Sequence, residues 1–398
     1  MALNGRALAR GLAALLALVA GAAAAAEPLS EPLREEILHI DKPGRGHVVL
    51  ETTLFRPPGD GPFPLVVINH GKNPGDAHLQ PRARYLLVAR ELVSRGYAVA
   101  IPMRQGFAGS TGESPGVLCD IEANGLSQAA DVVVAIAALS RRPDVDIRHT
   151  VVMGQSAGGL TTMALGSLRI AEVVGLVNFA GGLRADGCTN WRFELAHAMR
   201  DYGAKTTVPS LWFYGDNDEY FSVDTWQEMF RNYTDGGASA RMVAFGKFRD
   251  NSHLMFGPAD GLRIWLPELR RFFEQLGLPF DVRTPIKLAE HEHAPPPPSG
   301  FAPIDDARRL PNVSDKARMA WATYLDEPPP KAFAVSPHGS WAYRSGNPAA
   351  MRLALERCSQ GFAKEPCQLY AVDDVVVYQP GATPPPAAAS AAAEAAGP

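Results

Sequence analysis

The chain has 398 residues, 46% of them hydrophobic and 20% charged, enough for one large domain or two ordinary ones with a well-buried core. That composition excludes a disordered, collagen-like or coiled-coil protein. With 38 Lys+Arg against 42 Asp+Glu and no long basic cluster, the formal charge of −4 also argues against a dedicated nucleic-acid binder.

Arg6 and Arg10 give the amino terminus a positive start, Gly11 to Ala20 is apolar, and Ala24-Ala25-Ala26 offers a small-residue cleavage site before Glu27. This is the tripartite pattern of a secretory signal over residues 1–26. The run is short for a membrane span, with an uncleaved anchor as the alternative. Cleavage removes Arg6 and Arg10 and moves the formal charge from −4 to −6. No other stretch approaches span length, so an exported mature protein with no integral membrane segment is expected, periplasmic or secreted. Abundant Ala, Arg and Pro suggest a bacterial source.

Residues 27–280 alternate strands and helices. Glu36–Ile40 and Val48–Phe55 read as short strands, and Pro64–Asn69 as a buried strand running into His70-Gly71. The spacing predicts a helix over 79–95, a strand over Tyr97–Pro102 and an apolar helix over 124–140. Val151–Met153 is a strand entering Gly154-Gln155-Ser156-Ala157-Gly158, followed by a small-residue helix to Leu168. Strands at Val173–Phe179, Pro209–Tyr214 and Arg241–Phe245 alternate with helices near 223–233 and over 260–276. Such alternation predicts an α/β domain, its mostly parallel central sheet covered by helices on both faces. Residues 281–300, with Pro295 to Pro298, read as a stiff linker, and His291-Glu292-His293 within it as solvated rather than metal-binding. Residues 301–380 form a small C-terminal α+β module, and 381–398 an Ala/Pro-rich disordered tail.

Four cysteines in an exported chain favour disulfides over free thiols, which a reducing compartment would favour instead. Of three possible pairings, the nine-residue spacing of Cys358 and Cys367 favours a local bridge, leaving Cys119 with Cys188. No CxxC spacing suggests a metal.

A serine hydroxyl is a weak nucleophile that must be exposed beside a base. Gly154-Gln155-Ser156-Ala157-Gly158 sits where a sharp strand-to-helix turn would expose it, the glycines sparing collisions with neighbouring strand and helix. A phosphate-cradling turn is disfavoured, for want of a Lys and of the longer spacing. An acid and a histidine should follow in that order. Asp218 is the acid, ahead of Asp216, in Gly215-Asp216-Asn217-Asp218; His253 is the histidine that follows it within the sheet domain. Oxyanion donors are expected from the backbone of Ala157 and of Lys72 or Gly71, with His70 bracing that loop. In residues 183–206, Trp191, Phe193, Leu195, Met199 and Tyr202 either line an acyl pocket or pack a helix on the sheet, two readings held even.

These motifs, with Val67-Ile68-Asn69-His70-Gly71 and Met103-Arg104-Gln105-Gly106-Phe107-Ala108-Gly109-Ser110-Thr111-Gly112, resemble the α/β-hydrolase superfamily, closest to its dienelactone-hydrolase-like serine esterase branch, over residues 35–278. The resemblance implies the α/β-hydrolase fold and hydrolysis of a small-molecule ester by a Ser156-Asp218-His253 triad, with no metal or organic cofactor; Trp191 and Phe107 are the candidate substrate contacts. It departs from dienelactone hydrolases proper in having Ser156 where they carry cysteine, and from prolyl-oligopeptidase-type peptidases in having Ala157 where they usually carry tyrosine. The C-terminal module resembles one appended to such bacterial hydrolases, marked by Cys358, Cys367 and Leu369-Tyr370-Ala371-Val372-Asp373-Asp374, with packing, gating or docking as its possible roles. The alternatives are a serine peptidase of prolyl-oligopeptidase type and a non-catalytic binding protein on a hydrolase scaffold.

Overall fold

A computed structural model describes residues 29–381 except 45, 74, 117–118, 186, 328 and 362–365. The signal segment 1–26 and the tail beyond 381 lie outside the described residues. The elements run β1 (Glu36–Lys42), β2 (Val48–Phe55), β3 (Phe63–Asn69), α1 (Leu86–Ser94), β4 (Ala98–Pro102), α2 (Ile121–Leu139), β5 (Val145–Gln155), α3 (Ala157–Ser167), β6 (Val173–Phe179), α4 (Trp191–Lys205), β7 (Ser210–Tyr214), α5 (Val223–Asp235), β8 (Ala240–Ala244) and α6 (Ala259–Gln275). The carboxyl-terminal unit adds α7 (Asp315–Asp326), β9 (Ala332–Val335), β10 (Trp341–Arg344), α8 (Ala350–Ser359), β11 (Gln368–Val372) and β12 (Val375–Val376).

One eight-stranded sheet has the order β1-β2-β4-β3-β5-β6-β7-β8. The β1–β2 and β2–β4 pairings are antiparallel, and every pairing from β4 to β8 is parallel. Successive side chains of a strand point to opposite faces, which divides the core in two. Val152, Trp212 and Tyr214 pack under α2, α3, α4 and α5, while Val151, Met153, Leu211 and Phe213 pack under α1 and α6. Because the parallel strands all end at one edge, the residues just after β3, β5, β7 and the β8 loop are brought together there.

Two helix starts differ from the sequence expectation for local reasons. Gln80 precedes Pro81 and is extended, and Tyr85 is left-handed (φ 42°), so α1 begins at Leu86 instead of 79. Helix α2 begins at Ile121 instead of 124, because the Asp120 carboxylate caps the Ala123 N–H at 2.9 Å.

Segment 281–300 is docked at both ends. The N–H groups of Arg283 and Thr284 donate to the Ser94 carbonyl and Ile286 N–H to the Ser94 hydroxyl, holding it to the end of α1. Beyond, Glu292 N–H donates to Pro348 O, Ser299 N–H to Val376 O, and His291 Nε2 lies 2.9 Å from Asp373 Oδ1 on the carboxyl-terminal unit. That unit is an antiparallel sheet, β10-β9-β11-β12, with α7 packed in one cluster and α8 in another. Both disulfides pair as anticipated, Cys119–Cys188 across 69 residues and Cys358–Cys367 across nine. Among the described residues no helix is long and apolar enough to cross a membrane, and no group of three or more His, Cys, Asp or Glu is arranged to hold a metal ion.

Candidate active site

Ser156 stands between β5 and α3 at φ 58°, ψ −126°, a conformation costly for a residue with a side chain. The surroundings hold it there. Its N–H donates to Phe179 O on β6, and its carbonyl accepts from Gly159 N–H, Leu160 N–H and Gly182 N–H. A Cβ at Gly158 would lie 2.0 Å from Asn69 O, and one at Gly154 would lie 2.2 Å from Gly158 O. The flanking glycines are therefore required by close approach of β3 and of the helix to the turn.

Asp218 follows β7. Its side chain is fully buried, and Oδ2 lies 2.9 Å from His253 Nδ1. Oδ1 accepts the N–H groups of Tyr220 (2.8 Å) and Phe221 (3.0 Å). The carboxylate thus has three donors and no solvent to compete for it, an arrangement that fixes the imidazole by its Nδ1. Asp216, the other carboxylate of the turn, is exposed, and its backbone N–H donates to Gly246 O. His253 sits in a 3₁₀ turn after β8, its ring against Tyr220 (4.5 Å between centroids) and Phe221 (5.7 Å). Ser156 Oγ makes no hydrogen bond among the described residues; in ligand-free sites the serine–histidine bond is commonly long until substrate binds.

Three side chains unread in the sequence tie the two loops to each other and to the serine turn. Asn251 Oδ1 accepts from His253 N–H and Glu219 N–H. Asn217 bridges to Phe248 N–H and Arg249 O. Gln155, beside the serine, donates Nε2–H to His253 O at 3.1 Å.

The loop after β3 is braced by His70. Burial, then the nearby Arg104 guanidinium, holds this imidazole well below its ordinary pKa, so the ring is neutral. Nδ1 faces Gly71 O at 2.7 Å and therefore carries the proton, while Nε2 accepts the Arg104 N–H at 3.2 Å. Gln80 also donates to Gly71 O. With that carbonyl turned toward His70 and Gln80, the N–H of Lys72 on the same trans peptide points the opposite way. The Gly71 N–H is directed to the Tyr85 hydroxyl at 3.4 Å. Ala157, first residue of α3, has no intrahelical acceptor for its N–H.

The apolar residues of 183–206 divide. Leu195, Met199 and Tyr202 are fully buried in the core shared with α2 and α3, so packing is their role, not an acyl pocket. Trp191 is half-buried against Phe221, and Phe193 is 63% exposed. Phe107 is 3% exposed, packed edge-on to His70 and under the Arg104 guanidinium, with no open face for a substrate. The Cys119–Cys188 bridge joins the loop before α2 to the loop before α4.

The X-Pro dipeptidyl-peptidase family (S15) matches residues 45–195, a span that contains Ser156 and ends before Asp218 and His253. No curated protein matches the chain. Among solved structures, a candidate dienelactone hydrolase from Klebsiella pneumoniae is 18% identical, covering 61% of this chain and 99% of that one, with a TM-score of 0.45. A puromycin-hydrolysing peptidase from Mycobacterium tuberculosis is 20% identical over 63% of this chain and 41% of its own, also at 0.45. An esterase from Pyrococcus furiosus is 14% identical over 61% and 92%, at 0.42. At these values a likeness is too distant to bear on substrate. The strand order, the two helical layers and the serine turn are arranged as in the α/β-hydrolase fold.

Proposed function

We propose that the chain is an exported serine hydrolase that cleaves carboxylic esters through an acyl-enzyme. The observation that carries this reading is the buried His253–Asp218 pair on the same sheet edge as a serine held at positive φ. His253 Nε2 takes the hydroxyl proton of Ser156 as Oγ attacks the carbonyl carbon. The bond from that carbon to the alcohol oxygen then breaks, and the alcohol leaves with the proton. Water, giving a proton to His253, attacks the acyl carbon; the acid departs and Ser156 recovers its proton. Asp218 orients the imidazole and stabilises its cation in both halves. Ala157 and Lys72 supply the oxyanion N–H donors, Gly71 being engaged with Tyr85. Trp191, half-buried at the head of α4, is the aromatic left to meet an acyl chain. Export is supported by the apolar amino-terminal run and the two disulfides.

The S15 match favours a second reading, hydrolysis of a peptide bond after proline. One experiment separates the two: turnover of a chain-length series of p-nitrophenyl esters and of Xaa-Pro p-nitroanilides by the protein and by Ser156→Ala. Hydrolysis of short esters alone, falling by about 10⁴-fold or more in the variant, is expected. Cleavage of the anilides at comparable kcat/KM would instead support the peptidase, and equal activity in Ser156→Ala would overturn both.

A further inference from the structure

Tyr220 has two separate attachments to the site. Its backbone N–H holds Asp218 Oδ1, so its Cα is fixed relative to the acid. Its ring leans on the His253 imidazole, with centroids 4.5 Å apart and planes inclined by 42°. Phe221, on the same stretch, also contacts that imidazole but is 2% exposed and spent on packing. Tyr220 is 41% exposed, and its hydroxyl makes no hydrogen bond among the described residues. An open aromatic face therefore stands beside the general acid–base.

The chemistry says which part of a substrate meets it. In acylation His253 delivers its proton to the departing oxygen, so whatever flanks the imidazole flanks the leaving group. We infer that Tyr220 is a specificity-determining residue for the leaving group, its exposed face stacking on an aromatic alcohol moiety of the ester. This rests on the serine-esterase reading above. An aromatic pair contributes beyond its buried area, while a small alkyl alcohol gains almost nothing from the ring.

The test uses two esters with one acyl group, 2-naphthyl acetate and ethyl acetate, and the variants Tyr220→Ala, Tyr220→Leu and Tyr220→Phe. The value of kcat/KM reports acylation, and deacylation is common to both esters because the leaving group has gone. In Tyr220→Ala and Tyr220→Leu, kcat/KM for the naphthyl ester is expected to fall about three- to tenfold, with ethyl acetate within twofold and the acetyl-enzyme hydrolysed at the unchanged rate. Tyr220→Phe should retain the preference. An equal loss on both esters, or a slowed deacylation, would make Tyr220 a support of His253 and overturn the inference; so would no change on either. Failure of the underlying reading looks different: the unaltered protein would hydrolyse neither ester, or Ser156→Ala would hydrolyse both.

Discussion

Asp216 and Asp218 stand two residues apart in one turn, yet only Asp218 is buried with three donors around it, one of them His253. Removing its charge would leave the imidazole without its orienting acceptor. Asp218→Asn is therefore expected to lower kcat by about 10⁴-fold, and Asp216→Asn to stay within about twofold; steady-state kinetics of the pair on one ester checks this. The serine and its glycines were readable because their constraint is local, a strand meeting a helix with no room for a Cβ. The ties made by Asn217, Asn251 and Gln155 were not. Each joins positions some 30 to 100 residues apart, and nothing in an asparagine or glutamine announces which distant loop it will reach.

Among the elements, strand and helix alternation gave the sheet and both its layers, while ends depended on capping details such as Asp120 and the left-handed Tyr85. Helix α4 carries apolar spacing that suits either a pocket or a core, and only its neighbours α2 and α3 decide for the core. The segment entering β1 holds a buried Glu35. Burial alone would raise this carboxyl, but the Arg84 and Arg82 guanidinia and the Ser30 N–H outweigh it and leave it below the usual carboxylate range. A folded-state pKa below the unfolded one adds stability above the unfolded value, about 4.3, and loses it as pH falls through the folded value. Glu35→Gln, which removes the charge that faces the Arg84 and Arg82 guanidinia, should cost about 3 kcal/mol at pH 7. The gap to the unaltered protein should narrow in thermal melts as pH falls below the unfolded value and through the folded one.

For the molecule as a whole, two staples of unequal reach bear on stability. In the loop-closure account, the 69-residue Cys119–Cys188 bridge is worth about 4 kcal/mol and the nine-residue Cys358–Cys367 bridge about 2.5 kcal/mol. Urea unfolding of the two double Cys→Ser variants should reproduce that order, and equal losses would count against it. The proline-rich segment read as a spacer because prolines make extended, self-contained chain. Its docking depends on single groups, the Ser94 carbonyl at one end and Asp373 at the other, that no pattern foretells. The strand order was equally silent, since alternation specifies parallel pairing without saying which strands become neighbours.

The hold on Asp218 by the N–H groups of residues 220 and 221 has an evolutionary consequence. A main-chain donor survives any replacement except proline, which has none. The side chain at 220 can therefore drift freely without dismantling the machinery behind it. Preference for one alcohol over another would diversify at that position among descendants of this chain while the underlying chemistry stays constant, and proline is the substitution a lineage should never sample there.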